Sequence, residues 1–256
     1  MAVNNKGLEE WWPWYERILR AFNYDREEDQ RAAHILNELL GPKALVREAA
    51  ERIIRKRQIL VFGAGPSLEE DLKKIEEDDI WRHFVIVTAD GATSALLEII
   101  GRIPDIVVTD LDGDMEDIIS SERRGSLIVV HAHGDNIPSL RQYVPMFSEA
   151  MGTTQARPIG RIYNFGGFTD GDRAVFLSAA LGAQMVVLAG MDFGVEIGRY
   201  SKKVSKSVEA KRLKLWFGKR LLEWLSSKTP IKFFNFTSGG IEIEGFKRID
   251  SLSFLR

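Results

Sequence analysis

The chain lacks cysteine altogether among its 256 residues. This absence excludes disulfide bridges, thiolate catalysis and zinc or iron–sulfur sites built on cysteine. Excess charge is lacking as well, since 35 basic side chains stand against 37 acidic ones and the formal net charge is −2. Electrostatics therefore gives no reason to expect nucleic acid or an anionic membrane as a partner.

Long apolar runs are also missing. No run approaches the roughly 18 residues that a membrane-spanning helix needs. The first ten residues are polar and contain no apolar core, so they do not have the pattern of a secretory signal. We therefore expect a cytoplasmic protein that does not act in a membrane.

Helical periodicity dominates the first 56 residues. Apolar side chains recur at helical spacing at Trp11, Tyr15, Ile18, Leu19 and Phe22, then at Ala32, Ile35, Leu36 and Leu39, and a third helix is predicted over Ala44–Lys56. The pattern predicts a helical segment over 1–56 that packs on a catalytic α/β domain over 57–256. The aromatic stripe is expected to pack on that domain or on a second subunit, so a homodimer stays open; a stacking platform for a base or pterin is the alternative.

From Gln58 onward, short apolar runs alternate with helical segments. The predicted strands are Ile59–Phe62, Phe84–Thr88, Ile106–Thr109, Leu127–Val130, Ile162–Phe165, Met185–Ala189 and Lys232–Phe236. The predicted helices lie near Leu68–Ile75, Thr93–Ile100, Glu116–Arg124, Ile137–Phe147, Asp172–Leu181 and Ser207–Leu225. This alternation predicts an α/β fold with a mostly parallel sheet and helices on both faces. The basic, serine-rich segment Arg199–Lys206 is expected to be an exposed loop or lid.

Acidic residues follow three of the predicted strands. Asp110 and Asp112 end the run Ile106–Thr109, and if strand geometry persists to Asp112 both carboxylates point to the same side. Open α/β sheets bind ligands at this carboxyl edge, and paired carboxylates favour Mg²⁺ between them. Asp90 is expected in the same crevice, and Asp135 is a further candidate ligand. A solvated turn is the alternative for Asp110 and Asp112.

Other strand ends carry polar or glycine-rich motifs. Gly63, Gly65 and Ser67 precede a predicted helix and indicate either nucleotide contact or a plain tight turn. Asp170 and Asp172 would cap the helix that follows Asn164-Phe165-Gly166-Gly167, or face a ligand. Arg173 in the first turn of that helix opposes the helix dipole, which favours a contact with phosphate. Asp192 comes directly after Met185–Ala189.

These motifs resemble two related families. Asp90-Gly91 with Asp110, Asp112 and Asp135 is similar to the acidic framework of thiamin pyrophosphokinases. The motifs Gly63–Leu68, Gly152–Gln155 and Asn164–Ala174 resemble those of the archaeal-type 6-hydroxymethyl-7,8-dihydropterin pyrophosphokinases, over roughly Gln58 to Lys247. Thiamin pyrophosphokinases add a carboxy-terminal β-sandwich, whereas only twenty residues follow Phe236 here. The pterin is therefore the expected acceptor.

The resemblance implies transfer of diphosphate from ATP to the hydroxyl of the pterin, in a tetrahydromethanopterin or folate-type pathway. It implies Mg²⁺ on Asp110, Asp112 and Asp135, with Asp90 as a fourth candidate, and it makes Asp110, Asp112 and Arg173 the catalytic set. Gly63, Gly65, Ser67 and Asp90 would contact ATP, together with one of Lys211, Arg212 or Lys214 on the phosphates. Asn164, Asp170, Asp172 and Asp192 would contact the pterin. His133 is the nearest candidate for a general base.

Three alternatives remain open. The segment Val107–Gly113 also resembles the first motif of haloacid-dehalogenase phosphatases, in which Asp110 would be the nucleophile and Asp112 an acid. The Gly-x-Gly-Pro-Ser motif and the α/β core also occur in glycosyltransferases associated with flagellin modification, which use nucleotide sugars. The third alternative is a module that binds a nucleotide or Mg²⁺ without turnover.

Overall fold

The structure is a computed structural model that describes residues 5–194, 196, 198–201 and 207–253. Its helices are α1 (Asn5–Phe22), α2 (Arg26–Leu40), α3 (Arg47–Ile54), α4 (Leu68–Asp78), α5 (Gly91–Ile100), α6 (Met115–Arg123), α7 (Ile137–Tyr143), α8 (Asp170–Ala180) and α9 (Val208–Lys228). Its strands are β1 (Gln58–Phe62), β2 (Phe84–Ala89), β3 (Ile106–Thr109), β4 (Leu127–Ala132), β5 (Met151–Thr154), β6 (Ile162–Tyr163), β7 (Met185–Ala189), β8 (Lys232–Asn235) and β9 (Phe246–Arg248). Single turns of 3₁₀ helix lie at Gly41–Lys43, Trp81–His83, Gly134–Asn136 and Val144–Met146.

The nine strands form one sheet in the order β6-β5-β4-β3-β2-β1-β7-β8-β9, and every pairing is parallel. The predicted α/β fold with a parallel sheet is confirmed. Two strands were not predicted, β5 and β9, because their sequences Met-Gly-Thr-Thr and Phe-Lys-Arg carry no apolar run. They join the sheet near or at its edges through main-chain hydrogen bonds, for which the side chains give no signal.

Alternation along the strands divides the core into two faces. Ile59 and Val61 of β1 pack in one cluster with side chains of α1, α3, α8 and α9. Leu60 and Phe62 point to the other face, where α4 and α5 cover the middle of the sheet. On that second face α2, α6 and α7 cover β3 and β4. The sheet is therefore buried on both sides, as its continuous apolar strands predict.

The amino-terminal helices pack on the sheet domain. Trp11 and Tyr15 of α1 are buried in the cluster that contains Ile59, and Trp14 lies against Trp224 of α9 with ring centroids 6.0 Å apart. Trp11 is only 2% exposed, so it cannot serve as the stacking platform considered above. A division at residue 56 and a homodimer both stay predictions. Among the described residues, every helix is too short or too polar to cross a bilayer.

We expect Trp11→Ala to lower the free energy of unfolding by about 3–5 kcal/mol, because a large buried ring is lost. The substitution also removes the hydrogen bond from Trp11 Nε1 to the Gln155 carbonyl, 2.9 Å long. Denaturant unfolding measures the change. Trp216→Ala is the matched control, since this tryptophan is 52% exposed and packs edge-on to Phe217. Its expected cost is at most about 1 kcal/mol. Equal losses in the two variants would contradict the placement of α1 in the core.

Candidate active site

The candidate site lies at the carboxyl edge of the sheet, where the strand order changes direction. The chain moves from β1 outward through β2, β3 and β4 on one side, and returns to the other side of β1 with β7. Such a switch point opens a crevice between neighbouring loops. Loops after β1, β2, β3 and β7 and the start of α8 line a cleft of about 650 Å³. This volume is in the range of small-molecule binding sites.

Three carboxylates meet in this crevice. One oxygen each from Asp90, Asp110 and Asp112 lies within 4.8 Å of the other two. The expected strand alternation through Asp112 is wrong, because β3 ends at Thr109 and Leu111 has a positive φ of 65°. This left-handed residue turns the chain sharply, so the carboxylates converge through a turn and not through a continued strand.

Thr109 holds this turn together and was not predicted as a site residue. Its hydroxyl accepts a hydrogen bond from Leu111 N (2.8 Å) and donates one to Asp90 Oδ1 (2.6 Å). Asp90 itself has a φ of 30°, which is also rare for a residue other than glycine. Backbone strain of this kind persists where the surrounding structure fixes it, often at functional sites. A threonine directly before an acidic turn was the available sequence signal.

The carboxylates of the crevice influence one another. Burial, together with the charges of Asp170 and Asp110, holds the pKa of Asp90 well above its usual range. Burial and the charge of Asp110 likewise raise the pKa of Asp170. Burial opposes the ionisation of Asp110 too, but the hydrogen bond and charge of His133 outweigh it and lower the pKa of Asp110. His133 Nε2 lies 3.4 Å from Asp110 Oδ2.

This arrangement fits a hard divalent cation. Asp110 Oδ1 is buried and has no hydrogen-bond partner among the described residues. Leaving a buried carboxylate oxygen without a partner is costly, and a cation among three carboxylates would supply one. Asp135 was predicted as a fourth ligand, but it is exposed on the 3₁₀ turn after β4 and does not belong to the group of three.

The glycine loop after β1 forms a wall of the cleft but has few free donors. Gly63 N donates to Ala189 O, Gly65 N to Gly190 O, and Ser67 N to the carboxylate of Asp192. Gly65 is required because a Cβ there would collide with that same carboxylate. The N–H groups of Gly63, Gly65 and Ser67 are thus engaged within the protein, in a tight turn that packs against the loop after β7, and their contact with ATP stays a prediction.

Asp192 was predicted to contact the pterin, yet it has a structural task. Its carboxylate accepts from both Ser67 N and the Ser67 hydroxyl. Ser67 Oγ accepts in turn from Gly239 N at 2.8 Å, so three loops are tied together at one buried point. One side of Asp192 still borders the cleft.

Asn164 and Asp172 are also used by the protein itself. Asn164 Nδ2 donates to the carbonyls of Gln155 and Ala156, and its Oδ1 accepts from Gly166 N. Asp172 is fully buried and accepts from Phe168 N (2.7 Å), from Thr169 N (2.6 Å) and from the Thr169 hydroxyl. Asn164 thus clamps a loop and Asp172 caps a helix, and their contact with the substrate stays a prediction.

Asp170 and Arg173 follow on the first turn of α8. Asp170 borders the cleft, whereas Arg173 is only 7% exposed and lies behind it, with Nη1 3.5 Å from Asp170 Oδ1. The contact of Arg173 with phosphate stays a prediction, since this geometry holds the guanidinium behind Asp170. Arg173 instead faces the acidic crevice from inside the protein, and its charge helps to lower the pKa of Asp110.

Lys211 and Lys214 lie one turn apart on α9. Lys211 borders the cleft, its Nζ lies 2.7 Å from Ser201 Oγ, and burial lowers its pKa. Lys214 is exposed and acts on Asp170 through its charge. Of the predicted lid, Tyr200 is half-buried over Gly91, and its hydroxyl donates to Glu98. Residues 202–206 of that lid lie outside the described residues.

Comparison with known proteins identifies the family. A family model described as 6-hydroxymethylpterin diphosphokinase MptE-like matches residues 33–198. The chain belongs to this family. A curated relative from Methanothermobacter thermautotrophicus, named 6-hydroxymethyl-7,8-dihydropterin pyrophosphokinase, is 47% identical over 87% of this chain and 96% of its own length. A relative of the same name from Pyrococcus furiosus is 45% identical over 90% of this chain and 98% of its own. The resemblance inferred from the motifs is confirmed.

The fold also occurs outside this pyrophosphokinase family. The Maf glycosyltransferase from Magnetospirillum magneticum is similar over 78% of this chain and 34% of its own, with a TM-score of 0.52 and 15% identity. At that identity the likeness concerns the fold alone. The fold is therefore shared with a protein of another class, and the chemistry must be argued from the side chains.

We expect Asp112→Asn to weaken binding of Mg²⁺, because one of three converging carboxylates loses its charge. Mg²⁺ should raise the melting temperature of the wild type by linkage, and most of that rise should vanish in the variant. Without metal, the melting temperatures of the two proteins should be nearly equal. Glu116→Gln, an exposed carboxylate on the next helix, is the control and should keep the full rise. A metal-free variant that melts far below the wild type would mark Asp112 as structural.

The cap on α8 predicts a different outcome for Asp172→Ala. Phe168 N and Thr169 N would lose their buried acceptor, so the free energy of unfolding should fall by about 1–3 kcal/mol. Asp114→Ala removes the exposed cap of α6 as a control and should cost about 1 kcal/mol. Denaturant unfolding compares them. Unchanged stability in Asp172→Ala, together with weaker binding of a pterin, would return this residue to the substrate site.

Proposed function

We propose that the protein transfers the β,γ-diphosphate of ATP to the primary hydroxyl of 6-hydroxymethyl-7,8-dihydropterin in a Mg²⁺-dependent reaction. The observation that best supports this function is the group formed by Asp90, Asp110 and Asp112 at the edge of a cleft large enough for a nucleotide. Membership of the family and the names of the two relatives support the acceptor. The product would serve the synthesis of a folate-type pterin or of tetrahydromethanopterin.

The bonds of the proposed reaction balance simply. The hydroxyl oxygen of the pterin attacks the β-phosphorus of ATP, the bond from that phosphorus to the α,β-bridging oxygen breaks, and AMP leaves with the bridging oxygen. The hydroxyl proton is released to water; His133, predicted as its acceptor, pairs with Asp110 and is not among the described residues that line the cleft. Positioning and charge neutralisation are the main tasks of the protein in such transfers.

Asp90, Asp110 and Asp112 would hold the Mg²⁺. The ion would supply positive charge that offsets the charge of the phosphate oxygens. Lys211, which also lines the cleft, contributes a cation. Arg173 works from behind, because its guanidinium offsets the negative charge of the crevice at Asp170 and Asp110.

Of the four residues predicted to contact the pterin, Asp170 is the best placed to do so. Its carboxylate borders the cleft and its ion pair is with Arg173, whereas Asn164 and Asp172 are occupied by main-chain groups. A carboxylate at this position can accept from the adjacent N–H groups of a pterin ring. We therefore assign the ring to the side of the cleft at the start of α8.

The decisive test incubates the protein with ATP, Mg²⁺ and the hydroxymethyl-dihydropterin and identifies the products by chromatography. We expect AMP and the pterin diphosphate in equal amounts, because attack at the β-phosphorus releases AMP. Asp112→Asn should yield neither product, and Glu116→Gln should match the wild type.

Other products would redirect the proposal. AMP formed with thiamin but not with the pterin would leave the metal site standing and replace the acceptor. Free phosphate without AMP would favour a phosphatase, and no turnover with any acceptor would favour a binding module or a transferase that uses nucleotide sugars.

A further inference from the structure

A series of buried polar side chains, linked by hydrogen bonds, connects the amino-terminal helices to Arg173. Tyr15 of α1 donates through its hydroxyl to Asp29 Oδ2 of α2 at 2.8 Å. Gln155 Nε2 donates to the same oxygen at 2.7 Å, and Gln155 Oε1 accepts from Arg173 Nη2 at 3.1 Å. Arg173 then reaches Asp170 at the border of the cleft. None of these links belongs to the acidic group itself.

Asp29 is the unusual residue in this series of hydrogen-bonded side chains, because it is a buried carboxylate. The side chain is 2% exposed, and the groups that donate to it are uncharged: the Tyr15 hydroxyl, the Gln155 amide and Gly134 N at 2.8 Å. Keeping an ionised carboxylate away from water is costly even when hydrogen bonds satisfy it. An asparagine would fill the same volume at lower cost, so the charge calls for an explanation.

Hydrogen-bond polarity supplies the explanation. An ionised carboxylate only accepts, so it forces Gln155 to turn its nitrogen toward Asp29. The oxygen of the same amide must then face the other way, toward Arg173, where it accepts from the guanidinium. The main-chain carbonyl of Gln155 is fixed as well, by Trp11 Nε1 and Asn164 Nδ2. With a neutral residue at position 29, the amide could rotate by half a turn and present its N–H₂ group to Arg173.

We propose that Asp29 and Gln155 are positioning residues, which hold the Arg173 guanidinium against Asp170 through the fixed orientation of one amide. The amino-terminal helices thereby form part of the active site, although they lie outside the crevice. The effect of this positioning on ligand binding rests on the proposed function, whereas the positioning itself does not.

The first test needs no ligand and reads Arg173 directly. In the wild type, the Nε–H of this buried arginine should give a resolved NMR signal, assigned by its loss in Arg173→Lys. We expect the signal to shift or broaden in Asp29→Asn and in Gln155→Leu, because the guanidinium loses its fixed acceptor. Asp25→Asn is the matched control, since Asp25 caps the same helix through Glu27 N but does not reach Arg173. An unchanged Arg173 signal in Asp29→Asn overturns the proposal.

The second test asks whether Asp29 acts on the ligand through Arg173, by a double-mutant cycle on the binding of ATP with Mg²⁺. We expect Asp29→Asn to weaken binding at least about fivefold when Arg173 is present, and less than about twofold in the Arg173→Met background. Equal losses in both backgrounds would mean that Asp29 acts only on the fold, and would overturn its role toward the ligand. Calorimetry gives the affinities, and unfolding curves confirm that each variant is folded.

The two tests separate the two proposals. If the Arg173 signal responds to Asp29 but the wild type does not bind ATP with Mg²⁺, the proposed function fails and the positioning stands. If the wild type binds and Arg173→Met weakens binding, while the effects of Asp29→Asn simply add, the proposed function stands and the inference fails.

Discussion

Repulsion among carboxylates at the carboxyl edge of the sheet governs the geometry of the site. Asp90, Asp110 and Asp112 approach one another within a partly buried crevice, where charges interact more strongly than in water. The pKa values of two of them shift in opposite directions: that of Asp90 is raised, and that of Asp110 is lowered beside His133. Positive φ angles at Asp90 and Leu111 place strain at the same point. A rigid parallel sheet is what can hold such an arrangement in place.

Acidic residues near the crevice fall into two groups by the partners of their oxygens. Asp71, Asp172 and Asp192 are buried, and each accepts hydrogen bonds from main-chain N–H groups of neighbouring loops. Such carboxylates accept hydrogen bonds from N–H groups that lack a main-chain acceptor, and they thereby join loops. Their oxygens are already occupied by donors of the protein itself. Asp110 keeps a buried oxygen without a partner among the described residues. This unsatisfied oxygen, and not acidity alone, distinguishes Asp110 from the scaffold carboxylates.

Sequence patterns predicted the parallel sheet because apolar runs of β-branched residues indicate buried strands, as at Ile106–Thr109. They missed β5, whose polar Met-Gly-Thr-Thr sequence pairs through the main chain. They placed Asp90, Asp110 and Asp112 together correctly, but for a wrong reason, since the turn at Leu111 depends on the Thr109 hydroxyl. They also included Asp135 among the metal ligands, because a sequence pattern does not show how strands and loops are arranged in three dimensions. The link from Asp29 to Gln155 spans 126 positions, and no local pattern reports it.

The motif Asn164–Ala174, one of those that resemble the pyrophosphokinase family, illustrates how a scaffold can demand a particular sequence. Asn164 clamps the loop from Gln155, and Asp172 caps α8, so these residues are fixed by main-chain partners. Their combined effect is to bring the start of α8 from the edge strand β6 to the middle of the sheet, where α8 packs on β1, β2 and β3. Only there can Asp170 border the cleft with Arg173 behind it. A motif can therefore identify a family through residues whose polar atoms are engaged in the scaffold, while the side chains that border the cleft depend on them for their position.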